Sequence, residues 1–93
     1  MFAETLESPR VVSLAPALTE LVFAAGAGNT LVGVVEYSDY PKEALEIPRV
    51  GDAFRIDVER VLAMEPDIVL AWPSGNPAPM LEQLESLGLR VEL

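Results

Sequence analysis

The 93-residue sequence contains neither cysteine nor histidine. The absence of cysteine excludes disulfides and thiol nucleophiles, and the absence of both residue types excludes zinc fingers and histidine acid–base catalysis. Any metal would therefore be held by carboxylates or arrive inside a ligand.

Basic residues are scarce as well. Six Lys and Arg stand against 15 Asp and Glu, which gives a net charge of −9 at pH 7. Because no basic patch collects phosphates, the composition argues against nucleic-acid binding. No apolar run is long enough to span a membrane, and residues 1–9 lack the basic and apolar regions of a signal peptide, so we expect an N-terminal tail there. Apolar residues make up 51% of the chain, which favours one folded domain over disorder.

The stretch from Arg10 to Gly28 organises the prediction of the fold. An apolar run at 11–14 has no clean alternation, as expected of a strand covered on both faces. After Pro16, apolar residues recur at helical spacing, at Leu18, Leu21, Val22 and Ala25. Gly26 or Gly28 can end this helix in a left-handed conformation. A strand leading directly into an amphipathic helix is half of a βαβ unit.

The remaining chain continues this alternation of strands and helices. Further strands are predicted at 30–35, 49–51, 67–72 and 89–93, and Asp57 is a plausible N-cap of the helix before the fourth strand. Residues 10–93 are therefore predicted to form a three-layer α/β sandwich around a mostly parallel sheet of strand order 2-1-3-4-5.

Aromatic residues follow the predicted strands. Tyr37 and Tyr40 come after the second strand, Phe54 after the third, and Trp72 closes the fourth. Open parallel sheets bind ligands outside the carboxyl ends of their strands, so these rings suggest a site for a large, partly flat, apolar ligand. The alternative is that the same rings cap the core.

Three acids near the third strand offer a different interpretation. Asp52, Asp57 and Glu59 could form a carboxylate-based active site, although a helix cap explains Asp57 and the helix dipole explains Glu59. No phosphate-binding loop and no nucleophile elbow occurs in the sequence. Glu59 is expected off the apolar stripe of its helix, where an exposed acid can dock on a basic partner.

Four segments carry a family resemblance, namely RVVSLAPALTELVFAAGAG, LVGVVEYSDYP, IDVERVLAMEPDIVLAW and LEQLESLGLRVEL. In this order and spacing they resemble the N-terminal lobe of the periplasmic binding proteins that serve bacterial ABC importers for vitamin B12, iron-siderophores and haem. In that family a long rigid helix joins two α/β lobes, the ligand lies between the lobes, and a glutamate on each lobe docks onto arginines of the permease.

The resemblance implies site residues at matching positions. Pro16, Tyr37 and Trp72 match ligand-contacting residues of the family, and Glu59 matches the docking glutamate. The family tryptophan after the third strand falls on Ala53 in this sequence, and its neighbour Phe54 is the ring expected to replace it.

The resemblance also implies a function. We expect one lobe of a substrate-binding component for a corrinoid or similar metal chelate, with no enzymatic activity and no resident cofactor or metal. We further expect an ABC permease as its partner, a periplasmic or extracytoplasmic location without a leader in this chain, and self-association through the cleft face left open by the missing second lobe. The alternative is a stand-alone flavodoxin-like structural or protein-interaction module.

Overall fold

A computed structural model describes residues 9–93, so the predicted tail at 1–9 lies outside the described residues except for Pro9. Two 3₁₀ turns, Gly28–Thr30 and Lys42–Glu46, accompany the regular elements. In chain order these elements are β1 (Val11–Ser13), α1 (Pro16–Ala24), β2 (Leu31–Val34), α2 (Val58–Ala63), β3 (Ile68–Leu70), α3 (Ala78–Ser86) and β4 (Val91–Glu92).

The four strands form one parallel sheet in the order β2-β1-β3-β4. Successive side chains of a strand point to opposite faces, and β1 shows this directly. Val11 packs in the cluster that includes α1, whereas Val12 packs in the cluster that includes α2 and α3. The sheet therefore has helices on both faces, and the predicted three-layer α/β architecture is confirmed.

The strand order differs from the predicted 2-1-3-4-5 at the third predicted strand, 49–51. This segment forms a single parallel bridge, from Arg49 to Val34, and it lies outside β2 instead of between the first and fourth predicted strands. Pro48 has no N–H to donate, and Gly51 turns at a φ of +119° into an antiparallel bridge with Ile56. Only one residue of this segment, Arg49, therefore pairs with β2.

The larger core lies between the sheet and helices α2 and α3. Its fully buried members come from every layer of that half of the molecule, namely Val12, Leu14, Val35, Val50, Val61, Val69 and Leu84. This continuous apolar contact is the main source of stability.

The α1 face is covered less completely than predicted. Leu21 of the apolar stripe is 59% exposed, and Ile68 and Leu70 of β3 are only half-buried. Together with Leu18 and Val22 they line an open apolar groove of about 330 Å³, which we call the α1 groove. The side of β3 that faces α1 is therefore only partly covered.

Helix ends follow the predicted local signals. Gly26 has a φ of +81° directly after the C-cap of α1, and its N–H donates to the Phe23 carbonyl. Asp57 caps α2 by accepting a hydrogen bond from the Arg60 N–H. Within residues 9–93, no helix is long and apolar enough to cross a membrane.

Candidate ligand-binding site

All four strands run in the same direction, so the loops that follow them meet at one edge of the sheet. We call this edge the carboxyl edge and define it by four loops. Residues 14–16, 35–38 and 71–76 follow β1, β2 and β3, and residues 51–56 follow the segment 49–51, which bridges to β2. Each loop carries one residue that the sequence predicts to contact a ligand, namely Pro16, Tyr37, Phe54 and Trp72. Buried polar side chains join these loops.

Asn76 joins three of the four loops. Its side chain is 3% exposed, and its Oδ1 accepts a hydrogen bond from the Trp72 N–H at 2.7 Å. Its Nδ2 donates to the Leu14 carbonyl at 3.0 Å and to the Ala53 carbonyl at 2.8 Å. The loops that carry Trp72, Pro16 and Phe54 are thereby tied to one side chain. The sequence analysis did not identify Asn76.

Three buried hydroxyls attach the fourth loop. Thr19, the one buried residue of α1, donates from Oγ1 to Ser13 Oγ at 2.9 Å and lies 3.2 Å from Ser38 Oγ. Ser13 Oγ in turn donates to the Ala15 carbonyl at 3.0 Å. This hydroxyl chain, Ser13, Thr19 and Ser38, links the loop of Tyr37 to the start of α1, and the sequence analysis missed it as well.

Tyr37 itself is held in an unfavourable backbone conformation. Its φ is +72°, in the left-handed region that a non-glycine residue seldom adopts, and its side chain is 79% exposed. The next residue, Ser38, is buried in the hydroxyl chain. The buried neighbour thus holds the strained turn that directs the Tyr37 side chain to solvent.

Phe54 lies in the turn of a short hairpin and is 69% exposed. Asp52 Oδ1 accepts hydrogen bonds from the N–H groups of Phe54 and Arg55, both at 2.8 Å. A Cβ at Gly51 would lie 2.2 Å from the Arg55 carbonyl oxygen, so only glycine fits at the base of this turn. The backbone that carries Phe54 is therefore held by hydrogen bonds to Asp52.

The remaining two predicted contacts lie nearer the core. Trp72 follows β3 and is 38% exposed, and a Cβ at Gly75 in the same turn would lie 3.7 Å from Cδ1 of its ring. Pro16 is half-buried at the first position of α1. The carboxyl edge thus carries two exposed rings, Tyr37 and Phe54, and one partly covered indole.

Two of the three acids that the sequence analysis singled out accept hydrogen bonds from backbone N–H groups. Asp57 caps α2 and Asp52 closes the Phe54 turn, so both carboxylates have structural partners. Glu59 lies exposed in the first turn of α2, close after the hairpin. Within residues 9–93, no cluster of three or more acidic residues is placed to hold a metal ion.

The α1 groove is a separate feature. Its lining includes Pro9, Ala27 and Thr30, which precede β1 or β2 and therefore belong to the amino end of the sheet. It lies away from the loops that carry the predicted contacts.

Comparison with known proteins places these features in a family. Residues 11–91 match the periplasmic binding protein family. The vitamin B12-binding protein of Vibrio cholerae is 45% identical over 91 residues, which cover 98% of this chain and 33% of that protein. The chain thus spans about a third of the length of this relative.

Solved structures agree with the sequence match. The crystal structure of the periplasmic vitamin B12-binding protein BtuF of Vibrio cholerae superposes with a TM-score of 0.86 and 47% identity, covering 91% of this chain and 33% of that one. A periplasmic haem-binding protein from Pseudomonas aeruginosa gives a TM-score of 0.84 at 40% identity, covering 92% of this chain and 31% of that one. The chain belongs to the periplasmic binding protein family.

Proposed function

We propose that this chain is the N-terminal lobe of the substrate-binding component of an ABC importer for a corrinoid such as vitamin B12, or for a related metal chelate. In this role it binds its ligand in the periplasm or another extracytoplasmic compartment and delivers it to a membrane permease. It carries out no chemical step on the ligand.

One observation carries the proposal. Four loops meet at the carboxyl edge and are joined there by buried polar side chains. They carry the largely exposed rings of Tyr37 and Phe54 and the partly covered ring of Trp72. Aromatic faces stack on flat ligands, and sites for such ligands combine apolar walls with few polar groups. The edge therefore suits a flat macrocycle better than a small charged solute.

The relatives support the same ligand class. One relative is named as a vitamin B12-binding protein and another as a haem-binding protein. Both molecules are metal chelates of large, flat, conjugated macrocycles, so either fits the aromatic surface described above. These relatives favour a binding protein over the alternative of a stand-alone flavodoxin-like module.

A single lobe can cover only one face of such a ligand. Each stacked ring contributes on the order of 0.5–1.5 kcal/mol beyond the area that it buries. Since the other face of the ligand stays in water, we expect a dissociation constant of around micromolar at best.

Trp72 provides the test, because it is the only tryptophan in the chain. Cyanocobalamin absorbs light where tryptophan emits, so a corrinoid bound at the carboxyl edge should quench Trp72 fluorescence saturably after inner-filter correction. Equilibrium dialysis should give the same dissociation constant. Hemin and a ferric siderophore, titrated in the same way, identify the preferred chelate.

A matched pair of variants locates the site. Tyr37→Ala should weaken binding several-fold, since it removes one stacked ring. Tyr40→Ala removes a tyrosine of similar exposure, 70% against 79%, from outside the four loops of the carboxyl edge and should bind like the unmodified chain. Absence of saturable quenching by all three chelates up to millimolar concentration contradicts the proposal.

The proposed partner is the permease of the importer, contacted through Glu59. This carboxylate is exposed in the first turn of α2, next to the carboxyl edge, and has no role in the hydrogen bonds that hold the described loops. Its charge is therefore free to meet a basic surface of the permease.

A further inference from the structure

We propose that Asn76 is a positioning residue that holds the loops of Pro16, Phe54 and Trp72 in a fixed arrangement before the ligand binds. The inference rests on the proposed function, since it concerns how the ligand surface is assembled. Asn76 contacts the backbone of these loops and need not contact the ligand.

The orientation of the Asn76 amide is determined by its partners. The Trp72 N–H needs an acceptor, whereas the Leu14 and Ala53 carbonyls need donors. A flipped amide would place Nδ2 against the Trp72 N–H and Oδ1 against the Leu14 and Ala53 carbonyl oxygens. None of the three hydrogen bonds could then form. Both hydrogens of Nδ2 are therefore used, each on a different loop.

The bonds of Asn76 connect parts of the chain that are distant in sequence. Leu14 lies 62 residues away and Ala53 lies 23 residues away. In the described part of the chain, the bond to Ala53 is the only hydrogen bond between the Phe54 hairpin and the loops of Trp72 and Pro16. Without it, no hydrogen bond would tie the hairpin to the other two loops.

The burial of Asn76 makes its hydrogen bonds difficult to replace. Asn76 is almost completely covered, so water cannot readily replace a lost donor at the two carbonyls. A surface that is ordered in advance binds more tightly, because less conformational freedom is lost on binding. Asn76 should thus affect ligand affinity beyond any effect on the stability of the fold.

The substitution Asn76→Asp separates two possible roles. A carboxylate can still accept from the Trp72 N–H, so the local turn at 72–76 is kept. It offers no donors to Leu14 and Ala53 and sets negative oxygen against both carbonyls. Asn29→Asp is the matched control, because Asn29 is exposed, lies at the other end of the sheet and gains the same charge.

The first experiment needs no ligand. In ¹⁵N–¹H spectra, Asn76→Asp should shift the amides of Ala15 and Phe54, which follow the two carbonyls, and increase the fast motion of the Phe54 hairpin. Asn29→Asp should leave those amides unchanged. If Asn76→Asp leaves the Ala15 and Phe54 amides in place, the proposal is overturned.

The second experiment measures cyanocobalamin affinity at a temperature where each variant is folded by circular dichroism. Asn76→Asp should raise the dissociation constant about tenfold, and Asn29→Asp should not change it. If Asn76→Asp lowers only the melting temperature, or binds like the unmodified chain, Asn76 merely closes its own turn and the proposal fails.

A third measurement covers the case in which Asn76→Asp does not fold. In the unmodified chain, the side-chain NH₂ protons of Asn76 should exchange with solvent at least tenfold more slowly than those of exposed Asn29, as buried bonded hydrogens do. Equal exchange rates overturn the proposal. If the unmodified chain binds no chelate while the first and third experiments succeed, the proposed function fails and the loop coupling stands.

Discussion

At the scale of single residues, backbone strain at one exposed residue supports the proposed ligand contact. Tyr37 adopts a φ of +72° although its side chain gains little burial there. Folding alone gives no reason for a bulky residue at this position, because glycine would adopt the same turn without strain. A ligand contact gives such a reason.

We therefore expect opposite effects on stability and binding from Tyr37→Gly. The free energy of unfolding should rise by about 0.5–1 kcal/mol, since relief of left-handed strain outweighs the entropy cost of glycine. Chelate affinity should fall several-fold as in Tyr37→Ala. Urea unfolding measures the first effect and equilibrium dialysis the second.

Tyr40→Gly is the control for this prediction. Tyr40 is similarly exposed, and among the described non-glycine residues only Tyr37 and Glu65 have positive φ. Glycine at Tyr40 should therefore lower stability. A loss of stability in Tyr37→Gly equal to that in Tyr40→Gly would show that the turn is not strained.

Glu59 leads to a prediction about the partner. Glu59→Ala should change the free energy of unfolding by only a few tenths of a kcal/mol, the usual effect of one exposed charge near a helix N-terminus. Binding to a detergent-solubilised corrinoid permease should weaken several-fold, and the difference should shrink as salt screens the charges. Biolayer interferometry measures both.

Glu85→Ala removes another exposed acid, near the end of α3, and serves as the control. It should bind the permease like the unmodified chain. If Glu59→Ala and Glu85→Ala bind alike, Glu59 has no docking role.

At the scale of elements, α1 is attached to the carboxyl edge by a polar contact. Thr19 is its one buried side chain, and the hydroxyl chain it centres joins β1, α1 and the loop after β2. Val22 and Phe23 of α1 pack against the smaller core, but most of the apolar stripe lines a groove that stays open. The position of this helix therefore depends on hydroxyl groups more than its sequence pattern indicates.

Thr19→Val should expose this dependence. The substitution keeps the shape of the side chain but leaves buried Ser13 and Ser38 without their shared partner, which should cost about 1–3 kcal/mol. Thr30→Val is the control, because its hydroxyl makes one local bond to the Ala27 carbonyl, worth about 1 kcal/mol. Urea unfolding compares the two, and equal losses would show that the hydroxyl chain adds nothing beyond a local bond.

Elements with local signals could be predicted from the sequence, and features that depend on distant partners could not. Asp57 and Gly26 act within their own turns, so their roles as helix ends were predictable. The segment 49–51 resembles a strand locally, but its pairing is limited by Pro48 and by the turn at Gly51. Asn76 resembles an ordinary loop residue, because its partners lie in other parts of the chain.

The candidate site shows the same division. Alternation of strands and helices was sufficient to expect that Tyr37, Phe54 and Trp72 follow strands at one edge. The pattern had indicated these three rings together with Tyr40, and it had indicated Glu59 as an exposed acid able to dock on a partner. The family resemblance then left Tyr40 out and added Pro16, and the roles of all these residues stay predictions. The hydrogen bonds that hold their loops together are tertiary contacts, which the periodicity of the sequence does not predict.

At the scale of the whole molecule, exposed rings at the carboxyl edge predict weak self-association. The chain carries a net charge of −9, so two copies repel each other until salt screens them. We therefore expect monomers at low salt and concentration-dependent dimers at high salt, as measured by sedimentation velocity.

Two variants distinguish the two exposed apolar surfaces. Phe54→Ser at the carboxyl edge should weaken dimerisation several-fold, as expected for the loss of an exposed ring at a contact. Leu21→Ser removes a similarly exposed apolar side chain from the α1 groove and should leave dimerisation unchanged. Monomers at every salt concentration, or a loss in Leu21→Ser alone, would contradict the prediction.

The central place of β1 also has a kinetic consequence. Val11 pairs with Leu31 on one side and with Ile68 on the other. During synthesis, β1 can pair with β2 early, but its second edge stays unpaired until β3 has left the ribosome. Sequence-distant parallel pairings form slowly, and an open strand edge invites association with other chains. A nascent chain of this protein should therefore need a chaperone most in the interval between the emergence of β2 and that of β3.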